Sequence, residues 1–222
     1  MSYLITIEGR SGVGKTTLGN IIESILKNAK KQYERIGGFE TTNKDSFLIK
    51  AINELIKKDR FIRTNWYRET SLLLAEFLER IYEDVLPALN DGKSVIFECY
   101  YESLVVYQSA RLSEDPKFQN WSYKQLLQYV TSIITPYLLD LPSPDIIFFV
   151  TLSNETELKE RLIKRDSRAY SNRDTFLQRK IEEMYSHVLE NNINVIRLDT
   201  SILSEEQEKQ FVEKVLKEKG AI

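Results

Sequence analysis

A single cysteine, Cys99, in 222 residues excludes an internal disulfide and any thiolate cluster around a metal. The single histidine, His187, falls on a polar helical segment and reads as inert surface. No apolar run approaches the length that crosses a bilayer. The chain opens directly on Tyr3-Leu4-Ile5-Thr6-Ile7, with too little in front, and too little charge, for a secretory leader. Neither sign of charge is in excess: 31 basic against 33 acidic residues leave a net charge of -2, so no global field draws the protein to nucleic acid or to a membrane. Internal repeats, low-complexity tracts and linkers are missing too. These absences predict a cytoplasmic protein that binds neither nucleic acid nor membrane.

What is present is the mix of an ordinary globular chain, 42% hydrophobic and 29% charged, and the length suits one domain over residues 1–222. Short β-rich runs alternate with long helical patterns, the signature of a parallel sheet covered by helices. Leu4 to Ile7, Val95 to Phe97, Asp145 to Leu152 and Asn194 to Leu198 are the strand candidates, with Gln32 to Ile36 accepted on position. Helical spacing predicts helices over Lys15 to Lys30, Phe47 to Lys57 (capped by Asp45), Glu69 to Leu86, Ser122 to Leu139, Asn154 to Lys164, Arg173 to Leu189 and Glu205 to Lys219.

Between the first strand and the first helix lies Gly9-Arg10-Ser11-Gly12-Val13-Gly14-Lys15-Thr16-Thr17, a full match to the P-loop pattern G-x-x-x-x-G-K-[ST]. Glycines let backbone N–H groups converge on phosphate oxygens, at the positive end of a helix. Lys15 is placed to meet the β- and γ-phosphates of ATP, and Thr16 to offer its hydroxyl to Mg²⁺. The pattern predicts a three-layer α/β/α sandwich of P-loop NTPase type with a parallel sheet of about five strands. A GTPase would show a base-reading N-K-x-D segment, and Asn43-Lys44-Asp45 has neither the spacing nor the place. A motor ATPase would carry Asp-Glu after its second signature strand, and none is found. A small-molecule kinase remains.

Further motifs carry a resemblance. Ile5-Thr6-Ile7-Glu8-Gly9 through Thr17, Pro87-Ala88-Leu89 with Gly92 to Ile96, Glu98-Cys99-Tyr100, Tyr107-Gln108, Pro144-Asp145-Ile146 and Glu160-Arg161-Leu162 with Arg165 together resemble the thymidylate kinase family of nucleoside monophosphate kinases over nearly the whole chain. The resemblance implies ATP as donor, Mg²⁺, a nucleotide acceptor, an arginine-bearing lid over about 161–174 and a homodimer packed through the long helix. It also marks departures. Counted back from Pro87, the family's base-stacking phenylalanine falls at Leu73 and its base-reading arginine at Phe77. The phosphate-holding arginine of D-R-Y is Cys99, the acidic P-loop residue is Ser11, Gly12 stands where some members carry arginine, and R-E-P-G-G reads Glu34-Arg35-Ile36-Gly37-Gly38. Cysteine offers no fork for a phosphate, so the acceptor half of the site is rebuilt while the donor half is kept.

The expected roles follow. Glu98, at a strand's C-terminal end, holds a Mg²⁺-bound water or orients the acceptor. Arg165 and Arg168, with Arg161 and Arg173 beside them, supply the lid's positive charge. Glu34 or Glu40 is the candidate base and Arg35 the neighbouring cation. Arg63 or Arg68 is a candidate replacement anchor, and Tyr100, Tyr101, Tyr107 and Gln108 line the acceptor pocket. Cys99 reads as a small buried hydrophobe. The acceptor is a monophosphate, dTMP first. A deoxynucleoside kinase, or a kinase of another hydroxylated acceptor, is the alternative, and a non-catalytic nucleotide-binding protein is the third reading.

Overall fold

A computed structural model describes residues 2–37, 47–48, 50–52, 65–167 and 171–222. Among these residues every strand runs parallel to its neighbours, in the order β2-β3-β1-β4-β5. The strands are β1 (Leu4–Glu8), β2 (Tyr33–Ile36), β3 (Ser94–Glu98), β4 (Ile146–Thr151) and β5 (Val195–Asp199). β1 is central, with Thr6 opposite Phe97 of β3 and Ile147 of β4. Strands covered on both faces read as unbroken apolar runs, and β1 and β3 are buried at every position. Successive side chains take opposite faces. Val95 and Phe97 therefore join the core beneath the long central helices, while Ile96 joins the core beneath the first and last helices. Among the described residues no helix is long and apolar enough to cross a membrane.

The helices are α1 (Lys15–Asn28), α2 (Trp66–Arg80), α3 (Leu86–Asn90), α4 (Tyr101–Leu112), α5 (Tyr123–Ile134), α6 (Glu155–Asp166), α7 (Asn172–Val188) and α8 (Glu205–Glu218). Most follow the sequence pattern, but three features depart from it. The long helix does not stop at Pro87. A π-helical turn, Ile81–Val85, joins α2 to α3, and the Leu86 N–H reaches back to the Ile81 carbonyl. Proline clashes with the carbonyl four residues behind it in a regular helix, and the wider π turn relieves that clash. The helix expected to run to Leu139 ends at Ile134, where Pro136 forces a 3₁₀ turn over Thr135–Tyr137. α4, between β3 and α5, was not among the helices predicted from periodicity. Most of the predicted helix over 47–57 lies outside the described residues.

Two buried carboxyls sit where β1 meets α4. Glu8 is fully buried and accepts hydrogen bonds from the Tyr100 N–H at 2.7 Å and from the Ser103 hydroxyl. Glu102 is 1% exposed, deep in the core beside the half-buried Tyr101 hydroxyl and without a cation among the described residues to offset its charge. Burial raises both carboxyls well above the usual range, and the Glu8 charge pushes Glu102 further. For an acid, a folded-state pKa above the unfolded one means that the native state holds the extra proton. Stability is then greatest below about 4.5 and falls as pH rises towards 8. Glu102→Met, which keeps the length and removes the charge, should stabilise the protein by about 1–3 kcal/mol at pH 8 and by less at pH 5. Urea titrations at the two pH values check this.

Candidate active site

Ligands gather beyond the carboxyl ends of parallel strands, and there β1 and β3 end beside the edge strand β2, with β5 at the sheet's other edge. The turn from β1 into α1 is built on glycine. Gly9 has φ +143°, and a Cβ there would stand 2.3 Å from the Val150 carbonyl oxygen, so no larger residue fits. Gly14 caps α1 in a left-handed conformation without any side-chain hydrogen bond. By contrast Asn65, Ser122, Asn154, Ser171 and Ser204 accept backbone N–H groups at the starts of α2, α5, α6, α7 and α8. The first N–H groups of α1 are thus left for an anion. Lys15 Nζ donates to the carbonyls of Gly9 at 2.8 Å and Arg10 at 2.9 Å, which holds the ammonium within the loop.

Not every loop side chain faces the cleft. Arg10 is 1% exposed and turns under the loop, donating to Leu152 O at 3.1 Å and Glu155 at 2.8 Å and lying 2.6 Å from Glu182. Its guanidinium ties the loop to α6 and α7, so only its backbone is available to a phosphate. Val13 is likewise in the core. Ser11, Gly12, Gly14, Lys15, Thr16 and Thr17 line a cleft of about 490 Å³ whose far wall is Arg161, Arg165, Thr200, Leu203, Glu205 and Glu208. Arg165 Nη1 donates to Ser11 Oγ at 3.0 Å, which brings one predicted lid arginine onto the P-loop. Arg168, and the side chain of Arg173, lie outside the described residues.

At the other end of the loop, Glu98 is only 5% exposed. Its two oxygens divide their work: Oε2 accepts from the Thr16 hydroxyl at 3.0 Å, and Oε1 from Arg35 Nη2 at 2.8 Å. Arg35 Nη2 also donates to the Thr16 carbonyl at 3.1 Å, and Nη1 to Glu23 at 3.1 Å and to Asn20. The Thr16 hydroxyl beside an oxygen-rich, buried carboxylate is a donor set that fits Mg²⁺. Glu34, the residue before Arg35, is exposed and faces Asp84, whose carboxyl is raised first by burial and then by that neighbouring charge. Strand alternation allows only one of the two at the centre, and the structure selects the arginine.

Gly19 makes room for this pair. A Cβ there would stand 2.6 Å from Arg35 Nη2, 3.0 Å from its Cζ and 3.2 Å from Glu98 Oε1. Gly19→Ala should gain up to about 1 kcal/mol of helix propensity but lose about 1–3 kcal/mol as the Arg35–Glu98 pair is disturbed, so it should melt no higher than wild type. It should also displace the guanidinium and cut kcat/KM for the acceptor by about tenfold. Steady-state kinetics beside a melting curve would separate the two effects.

The remaining predicted acceptor residues are placed unevenly. Phe77 is 1% exposed and packs edge-on against Phe97 and Tyr100 in the core, so it cannot meet a ligand. Counting back from Pro87 crosses the π turn, whose extra residue rotates everything upstream by about 100° relative to a regular helix. Leu73 is half-buried against the same core. Tyr100 is also buried, its hydroxyl donating to Pro142 O at 2.9 Å, and Tyr107 sits edge-on to Tyr185. Gln108 accepts from the Thr70 hydroxyl at 2.8 Å and donates to Glu69 at 3.4 Å. Glu69 and Thr70, which sequence reasoning passed over, thus hold Gln108 in place from α2.

Tyr101 is half-buried and 5.4 Å, ring to ring, from Tyr100. Cys99 has φ +67° and is held there by its N–H on Ile7 O. Burial raises its thiol, so it is no nucleophile. His187 and Arg68 are exposed, and Glu40 and Arg63 lie outside the described residues.

The sequence profile of the family described as thymidylate kinase matches residues 7–211. A probable thymidylate kinase of Pyrococcus horikoshii is 30% identical over 191 residues, 85% of this chain and 83% of that protein. Another from Methanosarcina mazei is 28% identical over 96% of this chain and 95% of its own length. The solved thymidylate kinase of Candida albicans superposes with a TM-score of 0.75 at 19% identity, covering 99% of this chain and 92% of that one. That last likeness speaks for the fold.

Proposed function

Because the chain belongs to the thymidylate kinase family, we propose that it moves the γ-phosphoryl group of ATP onto dTMP, giving dTDP and ADP. It is a phosphotransferase, and the two other readings open from the sequence, a nucleoside kinase and a non-catalytic binder, are not favoured. A phosphate oxygen of dTMP attacks the γ-phosphorus, a P–O bond forms there, and the bond to the β-phosphate oxygen breaks, releasing ADP. Little covalent chemistry falls to the protein, which positions the partners and offsets charge.

The roles follow from the site. Backbone N–H groups of the P-loop and α1 cradle the triphosphate, and Lys15 follows charge from the γ- to the β-oxygens. Thr16 and Glu98 are the residues that would hold Mg²⁺, which when bound neutralises phosphate charge. Arg165, and Arg161 beside it, bring positive charge from α6. Arg35 takes the part of acceptor-phosphate anchor that Cys99 cannot fill. Gln108, held by Thr70 and Glu69, is assigned to the acceptor-base side together with Tyr107, Tyr101 and Leu73. The observation that carries this reading is the convergence, at the strand ends, of an uncapped α1, Lys15, the Thr16–Glu98 pair and Arg35.

The reading includes a cytoplasmic homodimer packed through the long helix, supported by exposed Tyr67 and Tyr82 beside half-buried Leu72 and Leu73. An ADP-release assay across dTMP, thymidine and other monophosphates tests the activity. dTMP should give the highest kcat/KM. A free nucleoside outrunning every monophosphate would overturn the assignment.

A further inference from the structure

We propose that Glu208 reads the donor base, accepting a hydrogen bond from the exocyclic 6-amino group of adenine. The inference rests on the donor reading above and adds to it a residue that distinguishes one purine triphosphate from another.

Glu208 is out of place by the ordinary rules of helix patterning. α8 turns Val212, Val215 and Leu216 into the core, and position 208 lies on that same stripe, one turn before Val212. An apolar residue is expected there. Acidic residues near a helix start are favourable in solvent, and Glu205 and Glu206 are indeed exposed. Glu208 alone faces inward, 6% exposed, with Oε1 buried and without a hydrogen-bond partner. Burial raises its carboxyl above the usual range, Glu205 adds to that, and only Arg161 opposes it. A buried polar group without a partner is destabilising, so a carboxylate at this position points to a ligand that completes it.

The location says which ligand. Glu208 lines the cleft of about 490 Å³ that begins at Gly14, Lys15 and Thr16 and continues between Arg161 and Thr200-Leu203. Thr200 donates its hydroxyl to Val13 O at 2.9 Å, which fixes the cleft's far wall to the phosphate loop. With the triphosphate on the loop, the base is the part of the nucleotide left to enter this cleft. Adenine presents an N–H donor at C6. Guanine and hypoxanthine present a carbonyl oxygen there, which a carboxylate repels. Sites that hydrogen-bond a substrate group discriminate strongly against analogues lacking it, because their own buried polar atoms are then left unpaired.

The experiment measures dissociation constants for ATP, ITP and purine riboside 5′-triphosphate, which has hydrogen at C6. The proteins are wild type, Glu208→Gln and Glu208→Ala, each with its melting temperature. Wild type should bind ATP at least about tenfold more tightly than the purine riboside triphosphate. Glu208→Ala should erase that preference by weakening ATP alone, and should melt no lower than wild type. Glu208→Gln, whose carbonyl still accepts, should keep part of the preference, and it carries the test if the alanine variant does not fold. An unchanged preference in the variants, or an equal loss for all three triphosphates, overturns the proposal while leaving the donor reading intact. If wild type binds none of the three, the donor reading falls and this inference with it.

Discussion

Lys15→Ala should lower kcat by about 10³-fold while the fold is unchanged. The ammonium is held by two of the loop's own carbonyls, at 2.8 Å from Gly9 O and 2.9 Å from Arg10 O, so it is fixed before the nucleotide arrives. A charge fixed in advance costs no reorganisation when negative charge shifts to the leaving oxygen, and that is where electrostatic catalysis gains most. Lys15 lies in the first turn of α1 and is half-buried, so its removal leaves the core clusters untouched. ATP affinity should weaken by about tenfold, less than kcat, since the backbone N–H groups still bind. Single-turnover kinetics, with circular dichroism as a control, separate the two. A variant retaining more than a tenth of the wild-type rate would remove Lys15 from the centre of the mechanism.

Arg35→Ala should fall hardest on the acceptor. kcat/KM for dTMP should drop by about 10²-fold or more, with the dissociation constant for ATP within about threefold of wild type. The guanidinium bridges Glu98 and the Thr16 carbonyl on one nitrogen and Asn20 and Glu23 on the other. It therefore stands at the strand ends with its plane defined. Arg35→Lys keeps the charge and loses the fork, and should recover only part of the activity. Removing the arginine also leaves Glu98 buried without its cation, which should lower stability by about 1–3 kcal/mol. A loss of stability with no change in acceptor kinetics would assign Arg35 a purely structural role.

The sheet and the phosphate loop were legible in the sequence for physical reasons. Doubly covered parallel strands are largely apolar, which makes Ile146–Thr151 visible. The loop needs glycine at Gly9 and Gly14 because backbone stands where a Cβ would go, or because φ is positive. α4 was harder to see. It packs against α2, α5 and α7, so Glu102, Ser103, Leu104, Val105, Val106 and Gln108 are all buried and no single apolar stripe marks it. Long-range partners decide the rest. Arg10 belongs to the P-loop by pattern, and only Glu155 and Glu182, far along the chain, reveal that its side chain leaves the nucleotide.

The acceptor side shows the same limit. Glu34 and Arg35 are neighbours in sequence and opposites in space, and alternation says that one faces the site without saying which. Counting back from Pro87 to Phe77 crosses a π turn that nothing in Ile81–Val85 announces. In the donor cleft, Thr200, Leu203 and Glu208 follow β5. The rule that ligands collect at strand ends points to the region, although the inward turn of Glu208 is decided by how α8 packs and not by its residue type.

We propose that the loop at the head of α1 presents a triphosphate whose terminal group passes to a nucleotide monophosphate. Incubating the purified protein with dTMP and ATP labelled in the γ-phosphate, and following the label, tests it most directly. Label is expected in the β-phosphate of dTDP, formed by wild type and lost with Lys15→Ala. Label released only as inorganic phosphate, or dTDP formed equally well by the lysine variant, would contradict it.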